Sequence, residues 1–485
     1  MSAVEHHIIH RQIVEMAFGG PEAEALAAQG RLARLCHDWL APALEAALTR
    51  VGPADEHWRI DRLEIDIGSL RLDELERLGV LVGEAVEREL GGGRAWSSRP
   101  SRRSGQAPDS GGERSGPATP AVPFERRTPA EAARDAFLHF LRTGVLPWWF
   151  RLPRGKTLEE TLGEAEPAVV SGAAVLARGL AEVLRLPAAL ERLVRQFSPR
   201  LLGALLAALS SEAAAALAER LEGLPGRPAP GDPEQALPRR RLWALAFAAA
   251  VAGEKLPDAS RVARPAENVA PAEDAAPAAQ PDDAAVHDLR GAPPVPPRVR
   301  ADPTRPSAPP PDHERPIDAE LEQGLHVEHA GVVLLHPFLP RLFEKLGLAD
   351  GETLREPERA LGLLDFLATG RPRAPEHDLV VAKHLCGVPL DTSVASLELT
   401  AAERDEALVM LEAVIGHWEA LGGTSVDGLR GSFLVRRGRL SRRGGEDVLQ
   451  LEPAGYDVLL DQLPWGIGLI QLPWMRRALH VEWRL

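Results

Sequence analysis

The sequence predicts an α+β protein that is predominantly helical. It has a small N-terminal β-α-β-α domain, a helical middle flanked by linkers, and an α+β C-terminal domain. Three observations predict this. Apolar residues recur at spacings of three and four through most of the chain, the mark of helices with one buried face. Short stretches near both ends instead alternate apolar and polar residues, as half-buried strands do. Two long stretches, 93–128 and 257–324, largely lack both periods and are rich in Gly, Ser, Pro, Ala and charge, so they read as linkers.

Within the N-terminal domain, 1–92, His7 to Phe18 is rich in β-branched residues and predicts a strand that Gly19-Gly20-Pro21 ends. Pro21 suits the first turn of a helix whose apolar face runs through Leu32, Leu35, Trp39, Leu40, Leu44 and Leu48. Gly52-Pro53 stops it. A second strand follows in His57 to Ile67, with Leu63, Ile65 and Ile67 on one face, and then a helix from Leu72 to Leu90. A helix connecting two strands permits parallel pairing. The first linker is locally basic, with seven Arg against three acids in 94–128.

The middle, 129–256, begins with a helix at Pro129 that ends at Thr143-Gly144. It continues as Ala/Leu-rich helices cut by Pro187, Pro199 and Pro225. A free chain should collapse this part into a bundle, because the helices are short with large apolar faces and no sustained heptads. The second linker is Pro-rich, with 15 Pro in the 60 residues 257–316, and predicts extended backbone. The C-terminal domain, 325–485, should hold a buried helical stretch at Val332 to Leu346 kinked near Pro337 or Pro340. Further helices are expected at Glu358 to Thr369, Ala402 to Leu421, Val426 to Val435 and Tyr456 to Leu463. A hairpin turns at Arg442-Arg443-Gly444-Gly445, and Ile467 to Leu472 should pair antiparallel with Leu479 to Trp483. Phe140 to Gly144 (FLRTG) echoes Phe366 to Gly370 (FLATG). The echo is too short and irregular for a solenoid and reads as two ordinary helix ends.

Composition excludes several function classes. The formal net charge of the 485 residues is -14, which argues against broad nucleic-acid binding. Cys36 and Cys386 are the only cysteines, so a disulfide scaffold or a four-Cys zinc site is excluded. We expect no secretory leader, no membrane span and a cytoplasmic origin. No phosphate loop, dinucleotide fingerprint or metalloprotease motif occurs. His6, His7 and His10 read as a strand face. His326, His329 and His336 lack an acidic ligand set at fixed spacing and read as core or capping residues. Cys386, with His384 and His377 nearby, reads as a buried inert thiol. We therefore assign no catalytic, cofactor-binding or metal-binding residue. Trp148, Trp149, Trp465, Trp474 and Trp483 are the candidate partner-interface residues, since Trp is enriched at binding hot spots; core packing is the plainer use of the last three.

Several long phrases carry a resemblance. HIIHRQIVEMAFGGPEAEALAAQGRLARLCHDWLAPALEAAL, IDRLEIDIGSL and FLRTGVLPWW are followed in order by GVVLLHPFLPRLFEKLGL, LLDFLATG, APEHDLVVAKHLCGVPLD, VIGHWEALGGTSVDGLRGSFL, YDVLLDQLPWGIGLIQLPWM and VEW. Over about 5–92, 137–150 and 325–485 the chain resembles the tape measure proteins of extracellular contractile injection systems. The resemblance implies a non-enzymatic ruler in the lumen of the inner tube, setting tube and sheath length. It implies as partners the inner tube protein, spike and baseplate proteins and other copies of the chain. It also implies assembly in the cytoplasm followed by incorporation into the particle. A baseplate- or spike-associated assembly chaperone or adaptor is the alternative.

Overall fold

The structure, a computed structural model, describes residues 7–9, 12–15, 39–52, 56–60, 62–68, 74, 77–91, 124–153, 155–164, 173–222, 233–255, 316–395 and 398–483. The protein is a predominantly helical α+β chain with small sheets.

In the N-terminal part, α1 (Ala41–Val51) packs on α2 (Leu78–Gly91). Ala47, Val86 and Leu90 close a small core, against which Trp58, Ile60, Leu63 and Ile65 also rest. β1 (His57–Ile60) lies antiparallel to β2 (Phe124–Arg127), with His57 opposite Arg127 and Ile60 opposite Phe124. This corrects two expectations. The described residues of the first expected strand, 7–9 and 12–15, belong to no ladder, and the partner of 57–60 comes from the stretch assigned to the first linker. The physical reason is long-range. FERR has no alternating apolar face, but Arg126 covers the Trp58 ring at 5.4 Å and Arg127 pairs with Asp135 of the following helix. The helix expected from Pro21 falls within 16–38, outside the described residues, until α1.

The middle is a bundle of α3 (Pro129–Thr143), α4 (Leu158–Glu164), α5 (Ala173–Val183), α6 (Pro187–Gln196), α7 (Pro199–Leu209), α8 (Ser211–Glu222) and α9 (Pro233–Ala252). Local chemistry sets these boundaries. A reciprocal capping box opens α3: Glu131 N–H donates to Thr128 Oγ1 at 3.2 Å, and Thr128 N–H donates to the Glu131 carboxylate at 2.9 Å. Pro stands in the first turn of α3, α6 and α7, where its missing N–H leaves no helical bond unmade. Phe137, Phe140, Leu180, Leu193, Leu206 and Phe247 are fully buried in the shared core. The predicted collapse into a bundle is what forms.

The C-terminal part opens with α10 (Pro316–Gln323) and β3 (Leu325–Val327). The stretch 332–346 breaks as expected at Pro337. A 3₁₀ segment, Ala330–Leu335, precedes it and α11 (Leu339–Lys345) follows. After the short hairpin β4 (Ala349–Asp350) and β5 (Thr353–Leu354) come α12 (Pro357–Thr369), α13 (Val380–Leu385), α14 (Ala401–His417) and α15 (Val426–Leu429). The expected hairpin is β6 (Gly438–Arg443) and β7 (Glu446–Leu451). The expected final pair is β8 (Leu469–Ile470) and β9 (Leu479–Glu482). Sequence analysis missed that these join into one sheet, β3-β6-β7-β9-β8, through parallel pairing of β7 with β9. Among the described residues no helix is long and apolar enough to cross a membrane.

Candidate functional site

The tryptophans come first, because sequence analysis named them. Trp474 and Trp483 are buried in the C-terminal core. Trp474 stacks on Phe343, ring centroids 5.3 Å apart, and donates its Nε1–H to Leu385 O at 2.9 Å. Trp465 is half-buried, meets Phe338 edge-on at 5.2 Å, and donates to Leu334 O at 3.0 Å. Trp148 and Trp149 sit half-buried in the turn after α3, where the Arg127 guanidinium lies 5.9 Å from the Trp149 ring. Only parts of Trp148, Trp149 and Trp465 remain for a partner to touch. Trp39, placed by periodicity on an apolar helix face, is instead 52% exposed.

The described histidines go to separate places. His7 meets Thr49 Oγ1 at 2.9 Å, while His6 and His10 lie outside the described residues. His336 bonds to Val333 O at 3.0 Å. His326 bonds to Glu328 at 3.1 Å. His329 instead joins Asp365 and Asp378, one donor atom from each lying within 4.8 Å of the others, beside a cavity of about 10 Å³. His329 Nδ1 is 3.2 Å from Asp365 Oδ1 but misaligned for a hydrogen bond. This trio resembles a cation site, but a cation is already there. Arg371 donates to Asp365 at 3.0 Å and to Asp378 at 2.8 Å. A divalent ion would have to displace that guanidinium, so the cluster reads as an internal ion network. Burial pushes the Asp378 carboxyl up, but His377, His329 and Arg371 more than offset it and hold it below the usual range.

Cys386 and His384 assemble no nucleophile and base. Burial pushes the Cys386 thiol far up, so it stays protonated and unreactive. His384 faces Asp447, 4.0 Å away.

Sequence reasoning missed the most deeply buried charge cluster, and it bridges two parts of the chain. Arg192 of α6, Glu376 and Lys383 of α13 are each 1% exposed or less. One carboxylate oxygen, Glu376 Oε1, accepts from Arg192 Nε at 2.9 Å and from Lys383 Nζ at 2.9 Å. The surplus positive charge is dressed by carbonyls. Lys383 donates to Leu390 O and Thr392 O, and Arg192 donates to Leu141 O and Asp391 O. Burial pushes the Lys383 ammonium down, more than Glu376 restores it. The signal was weak but present. Lys is rare in this chain, and Lys383 stands in an apolar run, VVAKHL; Arg192 stands on the apolar side of LERLVRQF.

The same Arg192 takes part in the FLRTG and FLATG echo. Both phrases end a helix with a left-handed Gly, φ 84° at Gly144 and 73° at Gly370. Both Thr hydroxyls donate to the carbonyl four residues back, in His139 and Asp365. A guanidinium from a distant element then caps each end: Arg192 on Leu141 O, and Arg430 on Phe366 O and Leu367 O. A Cβ on either Gly would come within 2.9 Å of that guanidinium. The two ends are one device used twice, once in the bundle and once in the C-terminal part.

A family model described as contractile injection system tape measure protein matches residues 6–483. The chain belongs to the contractile injection system tape measure family. No curated protein and no solved structure matches it. The match spans every site described above, so the buried cluster and the repeated helix end are features of a tape measure chain and belong to a component of an injection particle.

One electrostatic feature of this tape measure chain gives a direct test. Burial pushes the Glu328 carboxyl up, but His326, Arg437 and Arg151 outweigh it and bring it from 4.5 down to about 2. A carboxylate held below its unfolded value adds stability above that value and loses it as pH falls toward the folded one. Glu328→Gln should therefore be less stable than the parent at pH 6, with the gap closing between about pH 4.5 and 2. Urea titrations of both chains across that window measure it, and a gap unchanged at pH 2 would overturn the assignment.

Proposed function

We propose that the chain works by reach, as a ruler in the lumen of the inner tube that sets where tube and sheath growth stops. The family match carries this reading. What supports it physically is the sectioning of the chain. The sequence of 257–316 holds 15 Pro in 60 residues, the composition of an extended spacer. At about 3.1 Å per residue, extended polyproline backbone of that length reaches roughly 190 Å. Its partners are the inner tube protein, spike and baseplate proteins and other copies of itself, met during assembly in the cytoplasm.

A second reading is a baseplate or spike adaptor. The bundle docked on the C-terminal part favours it, since a docked body has partner surfaces but little span. Removing 30 residues from within 256–315 of the full chain separates the two. A ruler gives particles shortened in proportion by electron microscopy. An adaptor gives particles of native length or none.

A further inference from the structure

The seam between the bundle and the C-terminal part is built unlike either core. Each side closes an apolar core of its own, and among the described residues only Val145 of the bundle side is counted with the C-terminal one. Across the seam the partners are mostly ions, amides and carbonyls. Arg192 meets Glu376 and Asp391 O, Gln196 donates to Val394 O at 2.7 Å, Arg195 pairs with Glu358 at 2.8 Å, and His139 with Glu320 at 3.1 Å. Glu376 Oε2, fully buried, has no hydrogen-bond partner. A polar contact between two self-sufficient cores is the kind along which domains move. Ions released from such a seam regain water, which returns the desolvation penalty of closing it, whereas an apolar seam has no such return.

The chain path gives this seam a consequence. The described stretch on the bundle side ends at Lys255, and the next begins at Pro316 in α10, whose Glu320 touches His139 of the bundle. While the seam is closed, the 60 residues between start and finish on one docked body and add nothing to reach.

We propose that the Arg192–Glu376–Lys383 seam is a latch, closed in the free chain and opened in the assembled particle, where 256–315 becomes a spacer between bundle and C-terminal part. This rests on the ruler reading. The latch keeps the free chain short, and among the buried apolar residues described opening withdraws only Val145 from the C-terminal core.

The test places a photoreactive benzoylphenylalanine at Arg195, a partly exposed seam position whose pairing with Glu358 it gives up while the buried Arg192–Glu376–Lys383 cluster is kept, in the full chain. Irradiation needs no reagent to enter the tube. In the purified free chain, cross-linked peptides should join position 195 to 356–395. In purified particles that yield should fall at least tenfold. Equal yields in both, or no such cross-link in the free chain, overturn the latch. The same probe at Glu358, scored against 187–200, guards against an unlucky site. Failure of the ruler reading looks different: shortening 256–315 leaves particle length unchanged, whatever the cross-links show.

Discussion

Glu376→Gln is expected to destabilise the folded chain by about 3–5 kcal/mol, the usual cost of leaving buried charge uncompensated. The substitution keeps the shape and one acceptor oxygen but removes the carboxylate that Arg192 and Lys383, both at 1% exposure or less, share. Lys383 retains Leu390 O and Thr392 O, and Arg192 retains Leu141 O and Asp391 O, so neither cation is stripped of hydrogen bonds. What is lost is the countercharge. Urea unfolding at neutral pH, followed by tryptophan fluorescence, measures the change. Adding Lys383→Met should recover part of it, because one cation then has no carboxylate to miss. A loss below about 1 kcal/mol would mean that water already reaches the cluster.

Trp474→Ala should be about as damaging, roughly 3–5 kcal/mol, as for other large-to-small changes in a core. It removes a ring stacked at 17° on Phe343 and leaves Leu385 O without its 2.9 Å donor. The half-buried Trp149, whose ring meets Phe150 and Arg127, should lose less on the same change. Denaturation of both full-length variants, read by near-ultraviolet circular dichroism, gives the comparison. If Trp474→Ala folds with parental stability yet no longer enters particles, the ring serves a partner and not the core.

These two sites mark the limit of what a linear reading detects. Helix ends were legible because their chemistry lies within three or four residues. Pro129, Pro187 and Pro199, at the start of α3, α6 and α7, each announce a boundary on their own. The β6–β7 hairpin was legible for the same reason, as its register follows from the Gly444-Gly445 turn. The Trp ambiguity was not resolvable in sequence, since a ring after a Pro turn looks alike whether it faces Phe343 or solvent. Strand partners failed where they were remote: β1 takes Phe124–Arg127, more than 60 positions on, and β9 joins β7 in parallel. The Arg192–Glu376 pair spans 184 positions, and nothing local in either phrase names the other.

The sequence by itself determined the helical α+β class, the stretches without apolar period and the kinship to tape measure proteins, because composition, periodicity and ordered phrases are properties of neighbouring residues. Tertiary structure alone decided that the bundle docks on the C-terminal part through buried charge, and which rings lie inside. Burial and countercharge exist only once distant segments are brought together, since a carboxylate 184 positions away is a solvated stranger in the unfolded chain and a buried contacting countercharge in the folded one.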